Sequence, residues 1–129
     1  MYIPYNPNPE GKSVGDCVIR ALTKALNKSW DDVYLGLCLE GFIAKDMPSG
    51  NSVWGSYLKH QGFYKHIIPD TCPDCYTVEN FTYDNPLGVF ILGIGDHVVT
   101  VIDGNYYDTY DSGKETPIYY FSYKGDKNV

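Results

Sequence analysis

Apolar residues recur at helical spacing in the first half of the chain and gather into short β-rich runs in the second. Val18, Ile19, Leu22, Ala25 and Leu26 keep a helical period, with Arg20, Lys24 and Lys28 falling elsewhere, so a helix is predicted from about Asp16 to Asn27-Lys28. Ser29 opens a second helix, because Ser29 and Asp32 stand in a capping-box-like relation with Asp replacing the usual Glu. Trp30, Val33, Tyr34, Leu37, Cys38 and Phe42 are its expected apolar face. Pro48-Ser49-Gly50 interrupts the pattern, and a third helix is predicted from about Asn51, with Val53, Trp54, Tyr57 and Leu58 inward and Gly62 as its stop.

Beyond Gly62 the pattern changes to strands over 63–68, 88–94, 97–102, 105–110 and 117–123. Asp103-Gly104 between two of them is a strong hairpin signal. Residues 1–15, with Pro4, Pro7, Pro9, Gly11 and Gly15, read as an extended lead-in. Residues 69–87 read as irregular, with a short turn of helix around Val78 to Phe81. Helices first and antiparallel strands second is an α+β order, and 129 residues without repeat or linker suit one domain spanning 1–129.

Composition narrows the function classes. A net charge of -6, with Lys and Arg scattered singly, lacks the basic stripe of a nucleic-acid binder, so no nucleic-acid partner is expected. There is no long apolar run and no basic segment leading into an apolar stretch. A membrane span and a signal peptide are therefore not expected, and a cytoplasmic location is. In that compartment the four cysteines, Cys17, Cys38, Cys72 and Cys75, are read one by one rather than as two disulfides. Cys38 lies on the predicted apolar face of the second helix and is expected in the core. Cys72-Pro73-Asp74-Cys75 has the spacing of half a zinc site but no second pair, so reduced surface thiols or a reversible local disulfide are expected and metal is not.

Cys17 is different because Gly15-Asp16-Cys17-Val18-Ile19-Arg20 puts it in the first turn of a helix. The free N–H groups and positive dipole end there favour thiolate over thiol and can hold an oxyanion. By position alone a free cysteine is more often a small buried hydrophobe. His97, heading the strand His97-Val98-Val99-Thr100-Val101, supplies a base for such a nucleophile, and a base needs an orienting partner. With a two-residue loop at Asp103-Gly104, Asp108 faces Val99, on the same strand face as His97; with a three-residue loop, Asp111 falls opposite His97. The Asp-Gly pair favours the shorter loop and hence Asp108.

This order, a Cys at a helix start, a His at a strand start and an Asp after the next strand, resembles the papain-like cysteine peptidases. The Gly15-Asp16-Cys17 start and the His97-Val98-Val99 strand look most like their compact bacterial and phage members, which include relatives of the double-glycine leader peptidases. The resemblance covers most of the chain in element order and two short motifs in residues. It implies N-terminal helices carrying the nucleophile packed on a C-terminal antiparallel sheet, and hydrolysis of a peptide, isopeptide or related acyl bond in a peptide or protein substrate. Cys17, His97 and Asp108 would form the triad, and no cofactor is implied. The family usually carries a Gln six residues before the Cys, whose amide completes the oxyanion hole. Gly11 stands there, and Asn8 or Asn6 offers the same amide donor, Asn8 being the expected one. That departure also suits a second expectation, a papain-like protein of a phage or mobile element that binds or inhibits without catalysis. An acyltransferase using the same triad is a third.

Overall fold

The structure, a computed structural model, describes residues 1–123. The elements run β1 (Tyr2–Pro4), α1 (Cys17–Leu26), α2 (Trp30–Ala44), α3 (Asn51–His60), β2 (Phe63–Ile67), α4 (Val78–Asp84), β3 (Val89–Ile94), β4 (His97–Ile102), β5 (Asn105–Asp108) and β6 (Tyr119–Tyr123). The strands form one sheet in the order β1-β5-β4-β3-β6-β2. The architecture is α+β, but the sheet is mixed rather than antiparallel, since β1 pairs parallel to β5. The lead-in, expected only to be extended, thus becomes an edge strand. Pro4 suits that place, because an edge tolerates a residue that cannot donate to the ladder. Among the described residues no helix is long and apolar enough to cross a membrane.

The sheet is covered on both faces, which explains why β3 and β4 are apolar almost without alternation. On one face Leu22, Val33, Leu37, Trp54 and Leu58 of the three long helices pack against Ile91, Val98 and Phe121. On the other, Val78 and Phe81 of α4 pack with Phe90, Leu92, Val99, Val101 and Tyr106. Full burial of one such side chain stabilises by about 1.5–3 kcal/mol. α1 is fastened to β4 by a polar bond as well: Thr100 Oγ1, fully buried, donates to the Ala21 carbonyl at 2.6 Å. That contact sets the height of the α1 N-terminus against the start of β4.

On α1 the expected apolar side is borne out, Leu22 lying in the core and Val18, Ile19, Ala25 and Leu26 packing partly buried against it, while Arg20 and Thr23 are buried as well. Two local expectations are corrected. On α2 only Val33, Leu37 and Gly41 are buried; Phe42, expected inward, is 69% exposed, with Leu35, Leu39 and Ile43 also outside. The short turn near Val78 is a two-turn helix whose start is a capping box, Thr77 accepting from the Asn80 N–H and Asn80 from the Thr77 N–H. Asn at the third position in place of Glu or Gln hides that signal in the sequence.

Candidate functional site

Three elements converge where α1 begins. Cys17 is the first residue of α1, His97 the first of β4, and Asp108 the last of β5. Both turns that aim them are tight. Ile94 pairs with His97 across Gly95-Asp96, and Gly95 takes a φ of +46° that favours glycine. Ile102 pairs with Asn105 across Asp103-Gly104, both at positive φ, as a two-residue hairpin loop requires. This register carries Tyr107 opposite Thr100 and so Asp108 to the His97 side of β4.

Asp108 is fully buried and its carboxylate is saturated. His97 Nε2 lies 2.7 Å from Oδ2, which also accepts from Ser112 Oγ at 2.7 Å. Oδ1 accepts from the Thr109 N–H at 2.8 Å and from Arg20 Nη2 at 3.2 Å. Even the main chain is held, the Asp108 carbonyl accepting from the Tyr5 N–H and the Tyr2 hydroxyl. Burial pushes this carboxyl up, but the His97 and Ser112 bonds, the imidazole charge and the Thr109 N–H together hold it below the usual carboxylate range. Asp111, the alternative, accepts from Tyr106 Oη at 2.5 Å and from the Gly113 N–H, in its own turn.

With Nε2 committed to Asp108, Nδ1 of His97 is the nitrogen left for the sulfur. The imidazole lies near enough to the thiol to bear on its ionisation. Burial opposes ionisation of Cys17. The His97 bond and charge, the Val98 N–H and the Arg20 charge outweigh it, and the thiol pKa falls below its ordinary value. Burial likewise works against protonated His97, but the bonds to Asp108 and Cys17 and their charges raise it to about 9. Both shifts act in the direction of a thiolate–imidazolium pair. The Tyr110 ring, 5.1 Å from the imidazole, covers part of it.

The pair opens into a cleft of about 730 Å³, in the range of small-molecule and peptide sites. Its walls are the start of α1, the Tyr34-Leu37-Cys38 side of α2, residues 47–51 and the β3–β4 turn, with Tyr119 of β6 completing it. Cys38, expected in the core, is half-buried on this wall. Gly93 makes room for Tyr119, since a Cβ there would stand 2.2 Å from its ring carbon Cζ.

Asn8 is not brought into this cleft. Its Oδ1 accepts from the Glu10 N–H at 2.9 Å and its carbonyl from the Gly11 N–H, closing a turn of the lead-in. Asn6 is held in the same way, donating to the Lys12 carbonyl at 3.3 Å. Gly11 is exposed at a φ of +68°. Groups at the site that can meet an oxyanion include the free N–H groups of the first α1 turn. Cys72 and Cys75 are joined as a disulfide in the exposed loop before α4. Among the described residues no group of His, Cys, Asp and Glu could hold a metal ion.

Sequence reasoning missed Arg20, Asp16 and Ser112. Arg20 is 5% exposed; besides Asp108 it donates from Nη1 to Asp16 Oδ1 at 2.8 Å. Asp16, at the N-cap of α1, makes no capping bond with its side chain and instead accepts from Trp30 Nε1 at 2.9 Å through Oδ2. The one available signal was the i,i+4 spacing of Asp16 and Arg20 around Cys17.

Compared with known proteins, the chain matches no family model, no curated protein and no solved structure.

Proposed function

We propose that this protein is a papain-like cysteine hydrolase that cleaves a peptide, isopeptide or related acyl bond. One observation carries the reading: a helix-start cysteine and a histidine whose Nε2 is 2.7 Å from a fully buried aspartate meet on the wall of one open cleft. Thiol burial for packing alone would not need the saturated carboxylate behind it.

In the proposed reaction the Cys17 thiolate attacks the acyl carbon, and the carbonyl electrons move to oxygen, beside the first-turn N–H groups of α1. As the tetrahedral intermediate collapses, the C–N bond breaks and the His97 Nδ1 proton goes to the departing amine. Neutral His97 then takes a proton from water, the hydroxyl attacks the thioester carbon, and the C–S bond breaks to release the acid and restore the thiolate. Asp108 holds the tautomer and stabilises the imidazolium without taking the proton. The apolar wall of Tyr34, Leu37 and Met47 suits an apolar acyl portion.

The test is the rate of iodoacetamide alkylation at Cys17 against pH, read by mass spectrometry, in the wild type and in His97→Ala. Fast labelling well below pH 8 that is lost in the variant is expected. Slow labelling that ignores position 97 would end the hydrolase reading. It would leave a binding protein of the same shape, the reading favoured by the exclusion of Asn8 from the cleft.

A further inference from the structure

Arg20 occupies an unusual place for an arginine: inside a helix, almost wholly buried, and paired with two carboxylates from opposite sides of the site. One is Asp16, the residue before the nucleophile; the other is Asp108, which holds the base. The two nitrogens of one planar guanidinium therefore join the turn that carries Cys17 to the strand end that carries His97's partner. A lysine, with a single nitrogen head, could not reach both with the same geometry. Trp30 Nε1 fixes the far oxygen of Asp16, and Ser112 and the Thr109 N–H fix the rest of Asp108, so neither carboxylate can turn away from the guanidinium.

We propose that Arg20 is the positioning residue of this site, clamping the Cys17 turn to the Asp108 carboxylate and setting, by its charge, the pH range over which the Cys17–His97 pair works. The proposal rests on the hydrolase reading above. The charged and titratable groups around Arg20 are Asp16 at the N-cap of α1, Cys17 on α1, His97 on β4, Asp108 on β5, Tyr2 on β1, and Tyr110 beyond β5. In this set, removing one fixed positive charge makes each proton harder to lose. Thiolate formation at Cys17 and proton loss from His97 must then both move to higher pH. Mere loosening of the site acts differently. It returns the thiol upward and the imidazole downward, toward their ordinary values, so the two midpoints converge.

The experiment follows both midpoints in the whole protein: iodoacetamide labelling of Cys17 against pH, and the His97 ring signals against pH by NMR. In Arg20→Met both are expected to rise, by about half to one pH unit. Arg20→Lys, which keeps the charge, should restore both midpoints while labelling more slowly, because the two-sided clamp is gone. Should Arg20→Met fail to fold, Asp16→Asn carries the test with the opposite sign. Loss of a negative charge beside Arg20 should lower both midpoints, and unmoved midpoints overturn the proposal. Midpoints that ignore Arg20→Met, or that converge and are not restored by Arg20→Lys, overturn it as well. A wild type whose Cys17 labels as an ordinary thiol removes the hydrolase reading itself, and this proposal with it. A paired wild type indifferent to Arg20 removes this proposal alone.

Discussion

Cys17 and the Cys72–Cys75 loop place the same side chain in two opposite settings. Cys17 is half-buried at a helix start, where an imidazole, a backbone N–H and a guanidinium all stabilise its anion. Cys72 and Cys75 lie in an exposed loop, satisfy each other as a disulfide, and have around them only local turn bonds such as Asp70 to the Cys72 N–H. The difference teaches that a cysteine's electrostatic setting here comes from charges held by the fold, not from cysteine spacing. The Cys-Pro-Asp-Cys motif is the more conspicuous in sequence, yet the lone cysteine has the environment for chemistry.

The largest expected effect tests whether the Cys17 corner depends on its buried charges. Arg20→Met leaves Asp16 and Asp108 short of a cation and should destabilise the fold by about 3–5 kcal/mol, measured by urea unfolding near neutral pH. A loss under 1 kcal/mol would mean that water reaches the network and that the contrast with the loop is overdrawn.

Next is His97→Ala, which should slow Cys17 labelling at neutral pH by roughly tenfold, because it removes the neighbour that lowers the thiol pKa. It should also remove a pH-dependent part of stability. The folded His97 is raised to about 9, above its ordinary value. Its contribution is therefore fully present below about pH 6.5 and is lost as pH rises through about 9. Unfolding curves of wild type and variant should draw together over that window, and a gap that widens instead would contradict the pairing.

Gly93→Ala should cost about 1–3 kcal/mol, because the new methyl displaces the Tyr119 ring from the cleft wall. Thermal unfolding measures the cost, and Cys17 labelling should keep its pH profile, since Tyr119 contributes no bond to the pair. The smallest effect belongs to the loop. Cys72→Ser with Cys75→Ser closes no long segment and should cost at most about 2 kcal/mol in chain entropy. Cys17 labelling should be unchanged, and a change would show that the two cysteine regions are coupled.

The candidate site was legible in part, for local reasons. Cys17 announces itself by helix-start position, His97 by the strand it heads, and Asp108 by counting back from the Asp103-Gly104 turn, whose register the structure shows as Ile102 opposite Asn105. Arg20 was not legible, because a buried arginine looks the same in sequence as a solvated one. Its burial follows from where Asp108 arrives, 88 residues later. Asn8 failed for the converse reason, since its amide serves its own turn before it can serve the cleft.

By itself, then, the chain's pattern determined what is set by short-range physics. The three long helices and the strands come from periodicity, the hairpin from its Asp-Gly turn, and the place of Cys17 at the head of α1 from the break at Gly15-Asp16. Tertiary structure alone decided which helix faces are buried, that the lead-in adds a parallel strand, and that Arg20 lies between two carboxylates. Those outcomes depend on contacts between residues far apart in sequence, where the cost of burying a charge is judged against partners that only the folded chain brings together.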